Sequence, residues 1–310
     1  MRRETVGVLM MVGTCLVWGL SPLYYALLQH IPPQDVLAHR VVWSLVFFML
    51  LLGAQGRLRA LVPLLAWRSI GWVMLAAACI WANWYTFVWS IGAGRVTEAS
   101  LGYFIFPLVS VVFGAALFGE RLGRLQWVSV ALAALAVLVL TLGLGVPPWI
   151  SLILAVTFGL YGLLKKRIQA GPVVSVTAEV VVSLPLALVL LWDSPEGYGA
   201  SISWRDLGLL ILSGPLTALP LVLFSAATKR IRLATVGLLQ YLNPTLQFLC
   251  AVAVLGESLG FWYSVTFPVI WIALALYSVA AFAAERNRSM ASSTLAATDH
   301  SPRSDASAKP

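Results

Sequence analysis

The sequence predicts an all-α polytopic membrane protein: ten transmembrane helices in two inverted five-helix repeats, with both termini in the cytoplasm. Three observations predict it. Of 310 residues, 60% are hydrophobic and only 10% charged, against about 45–50% apolar and about 25% charged in soluble domains. The apolar residues fall into ten runs of near-spanning length, and two long stretches match each other. A soluble fold of this size has too few charges to clothe its surface, so the excess apolar length faces lipid. Collagen-like, disordered and disulfide-scaffold classes are excluded on the same composition.

The first run, 6–29, follows Arg2 and Arg3 as a signal peptide would. It is too long and lacks a small-residue cleavage site, so it is read as a retained span. Further spans are expected over 36–53, 70–91, 98–118, 126–143, 149–164, 173–192, 207–227, 234–255 and 262–284. Each is near the roughly 20 apolar residues that cross the hydrocarbon layer. Trp67, Trp72, Trp127, Trp149, Trp192, Trp204 and Trp262 fall near proposed ends, where amphipathic rings favour the headgroup level. Residues 1–144 form the first repeat and 145–284 the second; 285–310, rich in Ser, Ala and Thr, is expected to be a disordered cytoplasmic tail.

The formal charge of +8 is a topology signal and no mark of nucleic acid. With the N-terminus inside, only Arg40, Arg95 and Arg205 fall toward the outer side, and the other seventeen of the 20 Lys and Arg lie inside. Alternation of this kind through ten spans would be scrambled by one missed helix. Cys15, Cys79 and Cys250 all lie in apolar runs with no CxxC spacing. They are read as buried thiols, with no disulfide and no metal.

The repeat pairs Arg95–Gly123 with Arg232–Gly260 at a constant offset of 137, so that Pro107 meets Pro244 and Glu120 meets Glu257. Earlier the offset is about 140: Trp18-Gly19-Leu20 faces Phe158-Gly159-Leu160, and His39 faces Glu179. Five spans is an odd number, so the second copy enters the membrane from the opposite side. Such repeats place a site near the midplane, where two halves of similar energy expose it alternately to either side. That is a physical argument for a carrier.

Specific strings add a family resemblance: Ala38-His39-Arg40 before Trp43-Ser44, Asn83-Trp84, Glu98 to Phe104, Gly119-Glu120-Arg121, Tyr161-Gly162-Leu163 before Lys165-Lys166, and Gln240-Tyr241 before Pro244-Thr245. Over roughly residues 5–284 the chain resembles the drug/metabolite transporter superfamily, EamA type, and is similar to its RarD branch of chloramphenicol-sensitive proteins. The resemblance implies a ten-helix permease of the bacterial inner membrane. It would move small metabolites or drugs, often outward as in multidrug efflux, with proton coupling. It does not imply which metabolite.

Ionisable groups inside spans cost at least about 2.5–3.5 kcal/mol at the helix centre, so each is weighed. Glu179 is the only carboxylate inside a long apolar run, about 9 Å from the cytoplasmic end at helical rise. It is the proton-coupling candidate, a Glu that pairs and joins helices being the plainer alternative. His39 and Arg40 lie a turn inside the outer end of the second span. Arg can hold an anion by paired donors and His can carry a proton; snorkelling, or pairing with Asp35, explains them more cheaply. Asn83 and Trp84 lie deep in the third span, offering an amide and a ring face. With Tyr103, Gln240 and Tyr241, they and His39-Arg40 make the expected substrate pocket, and helix–helix bonding is the alternative for each. Pro107 and Pro244 are hinge candidates.

Trp18, Trp43 and Trp271 are assigned to packing, Glu120 and Glu257 to turns, and Glu98 to the cap and dipole of its own helix. Paired carboxylates at depth, a Ser/His pair and HExxH are absent from the sequence, as is a P-loop. The expectation is therefore a carrier and no enzyme, without cofactor or metal. Its partners are a small-molecule substrate, the proton gradient and membrane lipid. A lipid carrier or flippase, or an importer of the same fold, is the alternative.

Overall fold

A computed structural model describes residues 3–118, 123–145, 147–194, 202–228, 230–231 and 239–299. All regular structure in them is helical. Helices α1 (Arg3–Gly19) and α2 (Ser21–Ala26) share the first apolar run, and α3 (Pro33–Ala54) follows. A 3₁₀ turn (Leu58–Leu61) and the short α4 (Val62–Leu65) lead into α5 (Trp67–Gly92), α6 (Val96–Phe118) and α7 (Arg124–Leu144). The second half holds α8 (Trp149–Arg167), α9 (Pro172–Asp193), α10 (Trp204–Thr228), α11 (Leu242–Leu249, prolonged by a π turn Cys250–Val254) and α12 (Phe261–Asp299).

Among the described residues, seven helical segments are long and apolar enough to cross a membrane, and Val96–Ser110, Trp149–Lys165 and Leu242–Val254 are shorter apolar helices. The protein is thus a multi-pass membrane protein. Trp67, Trp192 and Trp204 stand almost fully exposed at helix ends. One expectation needs correction: the last helix does not stop near 284 but runs to Asp299. Its Ala-rich sequence carries no proline between Pro268 and Pro302, so nothing in the chain breaks the helix there.

Local chemistry sets the breaks. Pro22, Pro33 and Pro172 sit in first turns, where the missing N–H costs no bond. Between α5 and α6 the chain reverses through Gly94 at φ +65°, a left-handed position that glycine takes without strain. Pro107 lies inside an unbroken α6. Pro244 does not: residues 239–240 are helical, Tyr241 is a turn, and α11 restarts at Leu242. Proline cannot bond the carbonyl four residues back, here Gln240, and its ring crowds that group.

Packing runs mainly between halves. α1 packs on α10 and α11, and α8 packs on α5 and α6; α3 packs on α10, and α5 on α9. α3 lies against α9, α6 against α11 and α7 against α12. Two glycines permit close approach. A Cβ on Gly102 of α6 would stand 2.8 Å from the Ser151 carbonyl oxygen of α8, and one on Gly214 of α10 would stand 2.5 Å from that of Trp43 on α3.

Candidate functional site

A cavity of about 490 Å³ lies where α1, α2, α3, α5 and α6 meet α8, α9, α10 and α11. That volume suits a small molecule. Its wall is largely apolar and rich in aromatic rings, with Trp18, Trp84, Phe87, Tyr103, Phe158 and Tyr161 among the lining side chains. The rings brace one another edge to face: Phe87 on Tyr103 at 5.8 Å and Tyr103 on Phe158 at 5.9 Å between centroids. That arrangement aligns ring edges with ring faces.

Arg40 enters this wall from α3 and is buried. Its Nε donates to Thr217 Oγ1 at 2.9 Å and its Nη1 to Tyr25 Oη at 2.7 Å. The guanidinium lies 3.8 Å from the centroid of the Trp84 ring, a cation–π contact that gains strength out of water. Arg40 is thus held inside the protein by Thr217, Tyr25 and Trp84 and makes no ion pair with Asp35, whose Oδ2 accepts from Ser194 Oγ at 2.6 Å.

Asn83 and Tyr103 also line the cavity, but their polar atoms are engaged inside the protein. Asn83 Nδ2 donates to the Leu154 carbonyl and to Thr157 Oγ1, both at 3.0 Å, and Oδ1 accepts from Tyr103 Oη at 2.8 Å. One amide thus ties α5 to α8 and α6. On the α11 side, Gln240, Asn243, Pro244 and Gln247 line the wall. His39 and Tyr241 are not among the lining residues; Tyr241 packs instead against the core around Leu101, Phe104 and Phe267.

The first part of the chain, residues 5–142, matches the EamA-like transporter family. The chain is 37% identical to Protein RarD of Salmonella typhimurium over 93% of its own length and 99% of that protein's. It is 39% identical to an uncharacterised transporter of Vibrio cholerae, covering 88% of this chain and 92% of that one. The chain belongs to the EamA-like transporter family. A solved crystal structure of another protein shares the fold of this EamA-like chain with TM-score 0.59 at 18% identity, over 88% of this chain and 97% of that one.

In this EamA-like transporter, Glu179 stands beside the cavity and not in its lining. Its Oε1 accepts from Lys165 Nζ at 2.5 Å and from Ser175 Oγ at 3.1 Å, while Oε2 accepts from Tyr161 Oη at 2.9 Å. Tyr161 does line the cavity, so the carboxylate is one hydrogen bond away from it. Among the described residues, no group of three or more His, Cys, Asp or Glu is placed to hold a metal.

The acidic residues at helix ends serve other helices than the sequence suggests. Glu98 does not cap its own helix: its Oε1 accepts from Ile150 N–H at 3.0 Å, at the start of α8, and its Oε2 pairs with Arg95. Glu257 follows Gly256, at φ +70°, and accepts from the Val96 and Thr97 N–H groups at 2.6 and 2.8 Å, capping α6. Glu120 lies outside the described residues.

Sequence reasoning missed Tyr25, Thr217, Phe158, Tyr161 and Gln247, and assigned Trp18 to packing although it lines the cavity. The repeat held the signal for one pair. Trp18 and Phe158 occupy matched positions in the two halves, and both reach the same cavity.

Proposed function

We propose that this transporter is a secondary carrier that exports a small metabolite or drug-like compound across the bacterial inner membrane, by alternating access of the central cavity. The observation that carries this reading is that residues before and after position 144 line one cavity. The helix packing supports two inverted five-helix halves, 1–144 and 145–284. When each helix is exchanged for its counterpart, α1 for α8, α3 for α9, α5 for α10, α6 for α11 and α7 for α12, the principal packing pairs are unchanged. The lysine and arginine distribution supports an N-in, C-in orientation.

Proton coupling is assigned to Glu179. A proton on its carboxylate would release Lys165 and alter the bond from Tyr161, which touches the cavity. The break at Tyr241 before Pro244 is the better hinge candidate, since α6 runs unbroken through Pro107.

The test compares metabolites inside and outside cells of a deletion strain, an overexpressor and an overexpressor carrying Glu179→Gln. Export predicts a compound enriched outside the overexpressor, retained in the deletion strain and not moved by the variant. Enrichment inside the overexpressor would make the protein an importer. Transport by Glu179→Gln with unaltered pH dependence would remove the coupling role, and no shift in any compound would remove the small-molecule reading in favour of lipid.

A further inference from the structure

This inference rests on the carrier reading and names the class of its cargo. Arg40 is 7% exposed in a protein interior that sits within a membrane, where an unneutralised charge is costly. The ion pairs among the described residues are His30 with Asp206, Arg95 with Glu98, and Lys165 with Glu179. Arg40 takes part in none of them. Among the described residues lining the cavity, Arg40 carries the only formal charge.

Thr217 and Tyr25 hold Nε and Nη1, and Trp84 covers one face of the guanidinium. The planar fork is therefore fixed in orientation, and Nη2 makes no recorded bond among the described residues. A fixed guanidinium with a spare donor on an aromatic wall is a receptor for a planar anion.

A second group on the same wall is also unfilled. Gln247 is 3% exposed. Its Nε2 donates to Asn243 Oδ1 at 3.1 Å, but its buried Oε1 has no hydrogen-bond donor. An orphaned buried acceptor is expensive unless something supplies a donor.

We propose that the cavity takes small aromatic carboxylates that carry a neutral hydrogen-bond donor. The carboxylate pairs with Arg40, the ring lies among Trp84, Phe87 and Tyr103, and the donor reaches Gln247 Oε1. An ammonium group finds no carboxylate there, because none is among the described residues that line the cavity. Amines and zwitterions are therefore rejected by an uncompensated charge.

The test uses the full chain in lipid nanodiscs, with binding read by calorimetry and by quenching of tryptophan fluorescence. The probes are para-hydroxyphenylacetate, its neutral amide, tyramine, tyrosine and phenylacetate. The acid is expected to bind about ten-fold tighter than the amide, the worth of a charge-assisted bond. Tyramine and tyrosine bind more weakly than the amide, and phenylacetate several-fold more weakly than the hydroxylated acid. Arg40→Gln abolishes the preference of acid over amide, and Gln247→Leu abolishes that of hydroxylated over plain acid.

The probe series on the unmodified protein decides the matter even where Arg40→Gln fails to fold. Equal or tighter binding of the amide or of tyramine overturns the proposal, as does absence of binding by all five probes. Those results leave the carrier reading standing if the strain comparison still reveals an exported compound. Tight acid binding without any exported compound would keep the cargo site and remove the carrier reading.

Discussion

Asn83 is fully buried and makes three interhelical hydrogen bonds through one small side chain. Its replacement by Leu leaves Tyr103 Oη without its acceptor and removes the amide donor from the Leu154 carbonyl and Thr157 Oγ1. We expect Asn83→Leu to lower stability by about 1–2 kcal/mol, read from unfolding of the purified protein by sodium dodecyl sulfate. The Lys165–Glu179 pair makes a second residue-scale prediction. Either Lys165→Met or Glu179→Gln leaves its partner without a counter-charge, whereas the double variant leaves none. A double-mutant cycle on the same unfolding assay should give a coupling of about 1–3 kcal/mol. A value near zero would mean that the ion pair is solvated and carries no structural weight.

Helix ends and helix crossings decide how the site is held. Glu257 follows α11 yet caps α6, so the start of one half's helix is fixed by the other half. Glu257→Ala strips two N–H groups of their acceptor and should cost about 1 kcal/mol, in the range for lost caps. Amide hydrogen exchange should then rise at Val96 and Thr97 while α5 is unaffected. Gly214 is where α10 meets the backbone of α3, three residues before Thr217, which anchors Arg40. Gly214→Ala must part the two helices by some tenths of an ångström. It should weaken binding of any cargo that uses Arg40 more than it lowers stability, and thermal melting alongside calorimetry separates the two effects.

For the whole molecule, the charge pattern and the exposed tryptophans together predict sidedness. Trp67 begins α5 and Trp204 begins α10, and both are exposed. In intact cells, with Cys15, Cys79 and Cys250 replaced, a membrane-impermeant maleimide should label Trp204→Cys and spare Trp67→Cys. The reverse pattern would invert the topology.

Much of this arrangement was legible in the chain. Span positions follow from hydropathy summed over about 20 residues, a local quantity that no partner alters, and the helices from α3 to α10 begin and end within a few residues of the expected places, whereas α11 starts later and α12 ends later than expected. Of the residues picked out within the apolar runs, Arg40, Asn83, Trp84, Tyr103 and Gln240 line one cavity, whereas His39 and Tyr241 do not. The helical run beyond Glu285 was not legible, because low hydropathy says where a span ends and not where a helix does.

What the sequence by itself determined is the membrane-spanning class, the run of apolar segments and the small set of costly polar groups within them. Only the tertiary structure decided who meets whom: Arg40 with Tyr25 and Thr217, Glu179 with Lys165, Glu98 with Ile150 and Glu257 with Val96. The physical reason is that burial is a property of a segment, while a hydrogen bond depends on the rotation and crossing of two helices. Arg40 and Thr217, 177 residues apart, become neighbours only where α3 and α10 can close over a glycine.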